Sequence, residues 1–428
     1  MRKFFSLGEK WFTIASLLIY SGGPLTVVLS GGASEGDGSG GGNYDNSLIL
    51  LIFLLNYFIS FCLLVIRWKK AIYILKYDRY ISILISLAVI SIFWSIDPKL
   101  TIRRDIAIAG STTFGLYLAS RYNIKQQLKI LGTMFGIAVM MSFIFGIVLR
   151  KYGIMGGIHA GTWRGIYPHK NVLGKVMVLS GILFLIMGVG AEKKEQLKYW
   201  AGLLGSVLLI ILSTSTSSLI NIIILVVAFL VYRTFRWRYD YLFPTIFALL
   251  TISYGSFIWV ESNAHLLFNA IGKDATLTGR TDIWPLVLEK IAERPWLGYG
   301  FGAFWGKDLN AESAYIWYAL QWRVPDSHSG LLDLWLELGL IGVIYYLLGF
   351  VWVVIKGLVR LRFSHGAENF WPIIYITYLV MSNLTESTLM IQNNIFWVIY
   401  VMIAFTIQVP QPKSCENSDN FSEKMRIQ

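Results

Sequence analysis

The feature that most constrains this chain is its apolar runs. Hydropathy marks about twelve, at 11–30, 47–66, 79–95, 105–120, 128–149, 171–190, 198–213, 217–232, 241–260, 331–355, 370–382 and 391–408. Most are long enough to cross a hydrocarbon core of roughly 30 Å as helices. They are continuous rather than alternating, so they predict helices and not barrel strands. Only 14% of residues are charged and mean hydropathy is +0.58, too little charge to cover a soluble protein of 428 residues. The expected fold is an all-α polytopic membrane protein.

Lys and Arg set the orientation. With the N-terminus inside, about 23 fall on inner segments and about 14 on outer ones. The net charge of +12 is therefore read as topology rather than as a sign of nucleic acid. The first run is expected to stay as a membrane helix rather than be cleaved as a signal peptide. Cys62 and Cys415 lie in an apolar run and a polar tail, so no disulfide framework is expected. The organisation expected is a first membrane helix with a flexible Gly-rich outer loop (1–46), a helical bundle (47–260), a large outer loop with short helices (261–330), C-terminal membrane helices (331–408) and a cytoplasmic tail (409–428). The outer basic residues do not spread evenly. They gather in 96–104, 150–170 and 261–330, against the topology rule, so they need another cause.

Three outer constellations carry chemistry. In Trp163-Arg164-Gly165-Ile166-Tyr167-Pro168-His169-Lys170-Asn171, basic residues precede a membrane helix, whose positive end favours an anion. Contact with lipid headgroups would explain them equally well. In Gly279-Arg280-Thr281-Asp282-Ile283-Trp284, Arg280 stands at a helix start, and the guanidinium fork suits a phosphate; the plainer alternative is a salt bridge to Asp282 or Glu289. In Pro325-Asp326-Ser327-His328-Ser329-Gly330, His328 has the pKa range of a general base and Asp326 is placed to orient its ring. A capping or solvated histidine is the ordinary reading of such a residue. Ile283, Trp284, Val287, Leu288 and Ile291 recur at helical spacing up to Arg294-Pro295. Gly298, Gly300 and Gly302 read as a turn, because no strand precedes them as a nucleotide fingerprint requires. His159, His169 and His328 lack zinc-site spacing, so no metal and no cofactor are expected.

Taken in order, Gly279–Trp284, Pro295-Trp296-Leu297-Gly298-Tyr299-Gly300, Asp326–Ser329 and Glu337-Leu338-Gly339-Leu340-Ile341-Gly342 resemble the O-antigen ligase/polymerase superfamily. Trp163–Gly174 resembles the upstream motif of its exopolysaccharide-polymerase branch. Phe93-Trp94-Ser95-Ile96-Asp97-Pro98 and Asn383-Leu384-Thr385-Glu386-Ser387 recur in such proteins too. The resemblance implies a GT-C-like glycosyltransferase of the bacterial inner membrane with its active site on the periplasmic face. It also implies a polyprenyl-diphosphate-linked glycan as donor, no metal, and a flippase and a chain-length regulator as partners. His328 would be the base, and Arg280, Arg164 and Lys170 would face the diphosphate. Asp326, Glu386 and His169 would support them. The acceptor would be a second lipid-linked repeat (polymerase) or lipid A core (ligase). Ligases usually carry an Arg in a turn that here reads Ser213-Thr214-Ser215-Thr216-Ser217-Ser218, which favours the polymerase. A multi-helix transporter is the competing class. It is disfavoured because carriers place charge and broken helices at the midplane, whereas these spans read as nearly charge-free.

Overall fold

The computed structural model describes residues 2–32, 47–236, 280–306, 311–364, 366–383 and 387–409. Among these the chain is helical, with one isolated bridge between Ile154 and Trp163. Six helices have the length and composition to cross a membrane: Ser47–Ile66, Ile124–Ile147, Lys170–Gly190, Lys193–Ser213, Thr216–Thr234 and Gly330–Phe363. Tyr80–Phe93 and Ile395–Gln408 are shorter and apolar. The expected span 241–260, the Gly-rich loop and the tail lie outside the described residues.

Two expected spans are interrupted. The run 11–30 is two helices, Arg2–Tyr20 and Leu25–Leu29, because Ser21-Gly22-Gly23-Pro24 turns the chain between them. Gly22 takes φ 91°, and a Cβ on Gly23 would stand 2.6 Å from the Ile166 carbonyl oxygen. The run 331–355 belongs to Gly330–Phe363, which breaks at Gly339 (φ 65°, ψ −171°). Only glycine adopts that conformation readily.

Helix Ile395–Gln408 is apolar all round and buried at every position but Thr406, as expected of the central helix in a bundle. It packs on helix Pro98–Arg121, where the bare Gly115 admits Val401: an added Cβ would lie 2.6 Å from Val401 Cγ1. Lys170–Gly190 is a second buried pillar, tied to Lys193–Ser213 by a Ser180–Ser206 hydroxyl bond of 2.7 Å. The peripheral helices expose Leu50, Phe58, Ile66 and Ile223. Such surface is at rest only against hydrocarbon.

At the far end of helix Pro98–Arg121 from residue 98, Glu9 is buried between Arg67 (2.6 Å) and Arg121 (3.1 Å), and the Tyr117 hydroxyl donates to it at 3.1 Å. These two arginines, read from sequence as topology signals alone, also pin three helices through one carboxylate. Removing one partner of such a pair leaves the other charges uncompensated, at a cost of about 3 kcal/mol. Glu9→Gln is therefore expected to lower the apparent Tm of the detergent-purified protein markedly, and an unchanged melt would show that the pairing contributes nothing net.

Candidate functional site

Three sequence motifs meet at one backbone joint. The break at Gly339 frees carbonyls before it and N–H groups after it. The segment Pro295–Gly300 satisfies both sets. Tyr299 N donates to the Leu336 carbonyl (2.7 Å) and Gly300 N to that of Glu337 (3.0 Å), while Leu340 N donates to the Pro295 carbonyl (2.8 Å). The Phe93–Pro98 motif closes the third side: Ile96 N donates to Tyr299 O (3.0 Å), Trp94 Nε1 to Leu297 O (2.9 Å), and Ser91 Oγ accepts from Phe301 N (2.9 Å). Gly298, Gly300 and Gly302 all have positive φ, as a tight turn requires.

Beside the joint stands the helix Arg280–Glu293, which ends where Arg294-Pro295 predicts. Ile283, Val287 and Ile291 are buried with Tyr299, Phe304, Ile316, Trp317 and Val324 in a small core separate from the bundle's, while Leu288 of the expected stripe is exposed. Lys290 braces it by ion pairs to Glu293 (3.0 Å) and Glu312 (3.1 Å). The Lys290 hydrogen bond holds the Glu293 carboxyl below its usual range. Burial works to lower the Lys290 ammonium, but its bonds to Glu293 and Glu312 outweigh that and raise it.

The His328 loop hangs between this small core and the helix Gly330–Phe363. Trp284, four residues after Arg280, donates its indole N–H to the Ser327 carbonyl (3.1 Å). His328 has φ 53°, a conformation that costs most residues about 1 kcal/mol. Asp326 Oδ1 holds it there, accepting from the His328 backbone N–H at 2.8 Å and lying 3.3 Å from ring Nδ1. Asp326 thus lies on the Nδ1 side of the ring, which leaves Nε2 as the other ring nitrogen.

Asp333 is the hub under this loop. Its Oδ1 accepts from Trp305 Nε1 (2.8 Å) and Ser327 N (3.1 Å), and its Oδ2 from Ser387 Oγ. Ser387, at the end of the Asn383–Ser387 motif, also donates to Asp326 Oδ1 at 3.4 Å. Glu386, expected to support the site, lies outside the described residues. A cavity of about 170 Å³ opens here, bounded by Arg104, Trp305, Asp326, Asp333, Glu337 and Gln392.

Sequence reasoning missed Arg104, Asp333 and Glu337. Arg104 belonged to the outer basic group that topology left unexplained. Asp333 and Glu337 sit four apart in an apolar helix, where carboxylates default to function, so that span is not charge-free as expected.

The upstream constellation arranges itself differently from expectation. Arg164 is 1% exposed, and its guanidinium donates to the carbonyls of Tyr152 (2.8 Å), Lys151 (3.3 Å) and Gly32. Its donors are taken up in organising the loop, which leaves it ill placed to meet a diphosphate. His169 caps the next helix, Nδ1 accepting from Asn171 N at 3.2 Å, and its ring packs edge-on against His159. Lys170 reaches the Ser213–Ser218 turn, Nζ 3.5 Å from Thr214 Oγ1. That turn lacks a basic residue of its own but receives one from the neighbouring helix. Lys175, one turn on, ties this helix to its neighbours: its carbonyl accepts from Tyr378 OH (3.0 Å), and its ammonium lies over the Phe396 ring.

Part of the chain is similar to known proteins. Residues 201–347, which include Arg280, His328, Asp333 and Glu337, match the O-antigen ligase family model. Over 275 residues the chain is 28% identical to the exopolysaccharide production protein ExoQ of Rhizobium meliloti (strain 1021). The aligned part is 60% of this chain and 60% of that protein, so the match spans about three fifths of the relative's length. Both matches, with the ordered motifs gathered at one joint, support the resemblance to the O-antigen ligase/polymerase superfamily.

Proposed function

We propose that the protein is a membrane glycosyltransferase, a polymerase that joins polyprenyl-diphosphate-linked oligosaccharide repeats into a surface polysaccharide. One observation carries this reading: His328, held in a left-handed conformation by Asp326, which itself lines a polar cavity. An outlier so over-determined by its neighbours is the kind of strain that functional sites keep.

In the proposed reaction an acceptor sugar hydroxyl attacks the anomeric carbon of the donor glycan. The new C–O bond forms as the bond from that carbon to the diphosphate oxygen breaks. The hydroxyl proton passes to His328 Nε2, and the imidazolium is stabilised by Asp326. Polyprenyl diphosphate departs with the bonding pair, and Arg280 and Lys170 meet its charge. Preorganised donors aimed at developing charge are worth roughly 3–4 kcal/mol each. Arg164 acts at one remove, by holding the loop that presents Lys170. The site would face the periplasm, with flippase and chain-length regulator as partners in the same membrane.

The polymerase is preferred over a ligase because the relative is an exopolysaccharide production protein. The bare turn at 213–218 no longer separates the two, since Lys170 supplies a cation to it. Transfer to lipid A core is the second reading, favoured by the ligase title of the family model. Reconstitution with one defined lipid-diphosphate repeat tests both. A product ladder from the repeat alone is expected. A single shifted band that needs lipid A core would make the protein a ligase, and solute uptake without any product would make it a transporter.

A further inference from the structure

We propose that the cavity beside His328 is the acceptor subsite and takes one neutral, hydroxyl-rich sugar ring, excluding the diphosphate. The inference rests on the glycosyl-transfer reading above and adds to it which substrate lies where.

Charge is the first reason. Asp326, Asp333 and Glu337 bound the cavity against a single guanidinium, Arg104. The lining is rich in hydrogen-bond acceptors and offers one guanidinium, fewer cations than a diphosphate needs. The carboxylates suit hydroxyl donors, each of which can give a hydrogen bond to a carboxylate oxygen. Arg104 and the Gln392 amide supply donors for the ring's own oxygens.

An unspent acceptor pair is the second. Asp105, the residue after Arg104, is 4% exposed, and among the described residues neither of its carboxylate oxygens has a hydrogen-bond partner. Buried polar groups are nearly always paired, so a buried carboxylate with both oxygens idle calls for a donor that arrives from outside. A sugar hydroxyl is such a donor.

Shape is the third. About 170 Å³ is the liquid share of roughly six waters, the scale of one sugar ring and not of an oligosaccharide. Trp305 forms one wall, fixed by its bond to Asp333, and offers an apolar face to ring C–H groups. Among the described residues, no three His, Cys, Asp or Glu side chains converge to hold one metal ion. His328 adjoins the cavity through Asp326, a lining residue 3.3 Å from its Nδ1, so a hydroxyl of the seated ring would lie close to the base.

The test uses the full-length protein in nanodiscs. The probe is the oligosaccharide repeat released from the host's lipid-diphosphate-linked repeat by mild acid, which cleaves the glycosyl phosphate bond. Binding is measured by equilibrium dialysis, and transfer by steady-state assay with lipid-linked repeats. Glu337→Gln is expected to weaken oligosaccharide binding at least tenfold and to raise the acceptor KM in proportion, with kcat held within about twofold. Gln392→Ala, whose side chain makes no hydrogen bond among the described residues, is expected to weaken binding several-fold and guards against misfolding of the first variant. Unchanged binding in both variants, with transfer intact, would overturn the subsite while leaving the enzyme reading standing. Oligosaccharide binding that both variants lose, in a protein that transfers nothing, would leave the subsite and remove the reaction. Displacement of the probe by inorganic pyrophosphate would make the cavity a diphosphate site. Calcium binding lost in Glu337→Gln, with sugar binding intact, would make it a cation site, and either result overturns the proposal.

Discussion

His328→Asn is expected to stop chain extension, lowering turnover by 100-fold to 10,000-fold, the range that positioned general bases contribute. Asparagine is chosen because it accepts the left-handed conformation at position 328 nearly as well as glycine does. The fold should therefore survive, and the apparent Tm should match the parent's. The substitution removes Nε2, the nitrogen turned away from Asp326, while leaving an amide that can still reach the aspartate. A repeat-length ladder on a gel reads the outcome. Normal product length at normal Tm would remove His328 from the mechanism and leave its backbone strain as a property of the turn alone.

Much of this architecture was legible because it depends on local rules. Apolar run length located most membrane helices, and Arg294-Pro295 located the end of the helix that begins at Arg280. His328 and Asp326 were legible as a pair because they lie two residues apart. What sequence could not supply was partnership across distance. Pro295–Gly300, Glu337–Gly342 and Phe93–Pro98 read as separate short motifs, yet they are three sides of one joint, and nothing in a single sequence says which motif satisfies which freed carbonyl. Arg164 shows the same limit from the other direction. An arginine before a helix predicts an anion contact by local chemistry, but its Nε and Nη2 instead hold backbone carbonyls of the preceding loop, at Tyr152 and Lys151, and one far back in the chain, at Gly32. Asp333 escaped notice because a lone acid in the first turn of a helix looks like a response to the helix dipole. Only the fold brings Trp305 and Ser387 to it.

Gly339→Ala is expected to cause a large loss of folded protein. The backbone at φ 65°, ψ −171° costs a non-glycine residue about 1–3 kcal/mol. The added methyl would also strike Trp296 C and O and Leu297 N, which are backbone atoms and cannot rotate away. Relief by straightening the helix would bury the Leu336 and Glu337 carbonyls in hydrogen bonds of their own and strand Tyr299 N and Gly300 N, which now donate to them. Each stranded buried donor costs a further 1–3 kcal/mol or so. The site would be lost along with the joint, because Glu337 lines the cavity and Trp305 follows the glycine turn directly. Size-exclusion chromatography with a melt in detergent reads the first effect and the ladder assay the second. Gly298→Ala provides the reciprocal check. Its Cβ would lie 2.5 Å from the Leu336 carbonyl oxygen, on the opposite side of the same joint. If both surfaces of one joint are at stake, the double variant should be little worse than either single one, since the second methyl meets a contact already broken. Additive losses would instead mean that the two glycines support separate structures, and that the break at Gly339 is held by something other than the Pro295–Gly300 segment.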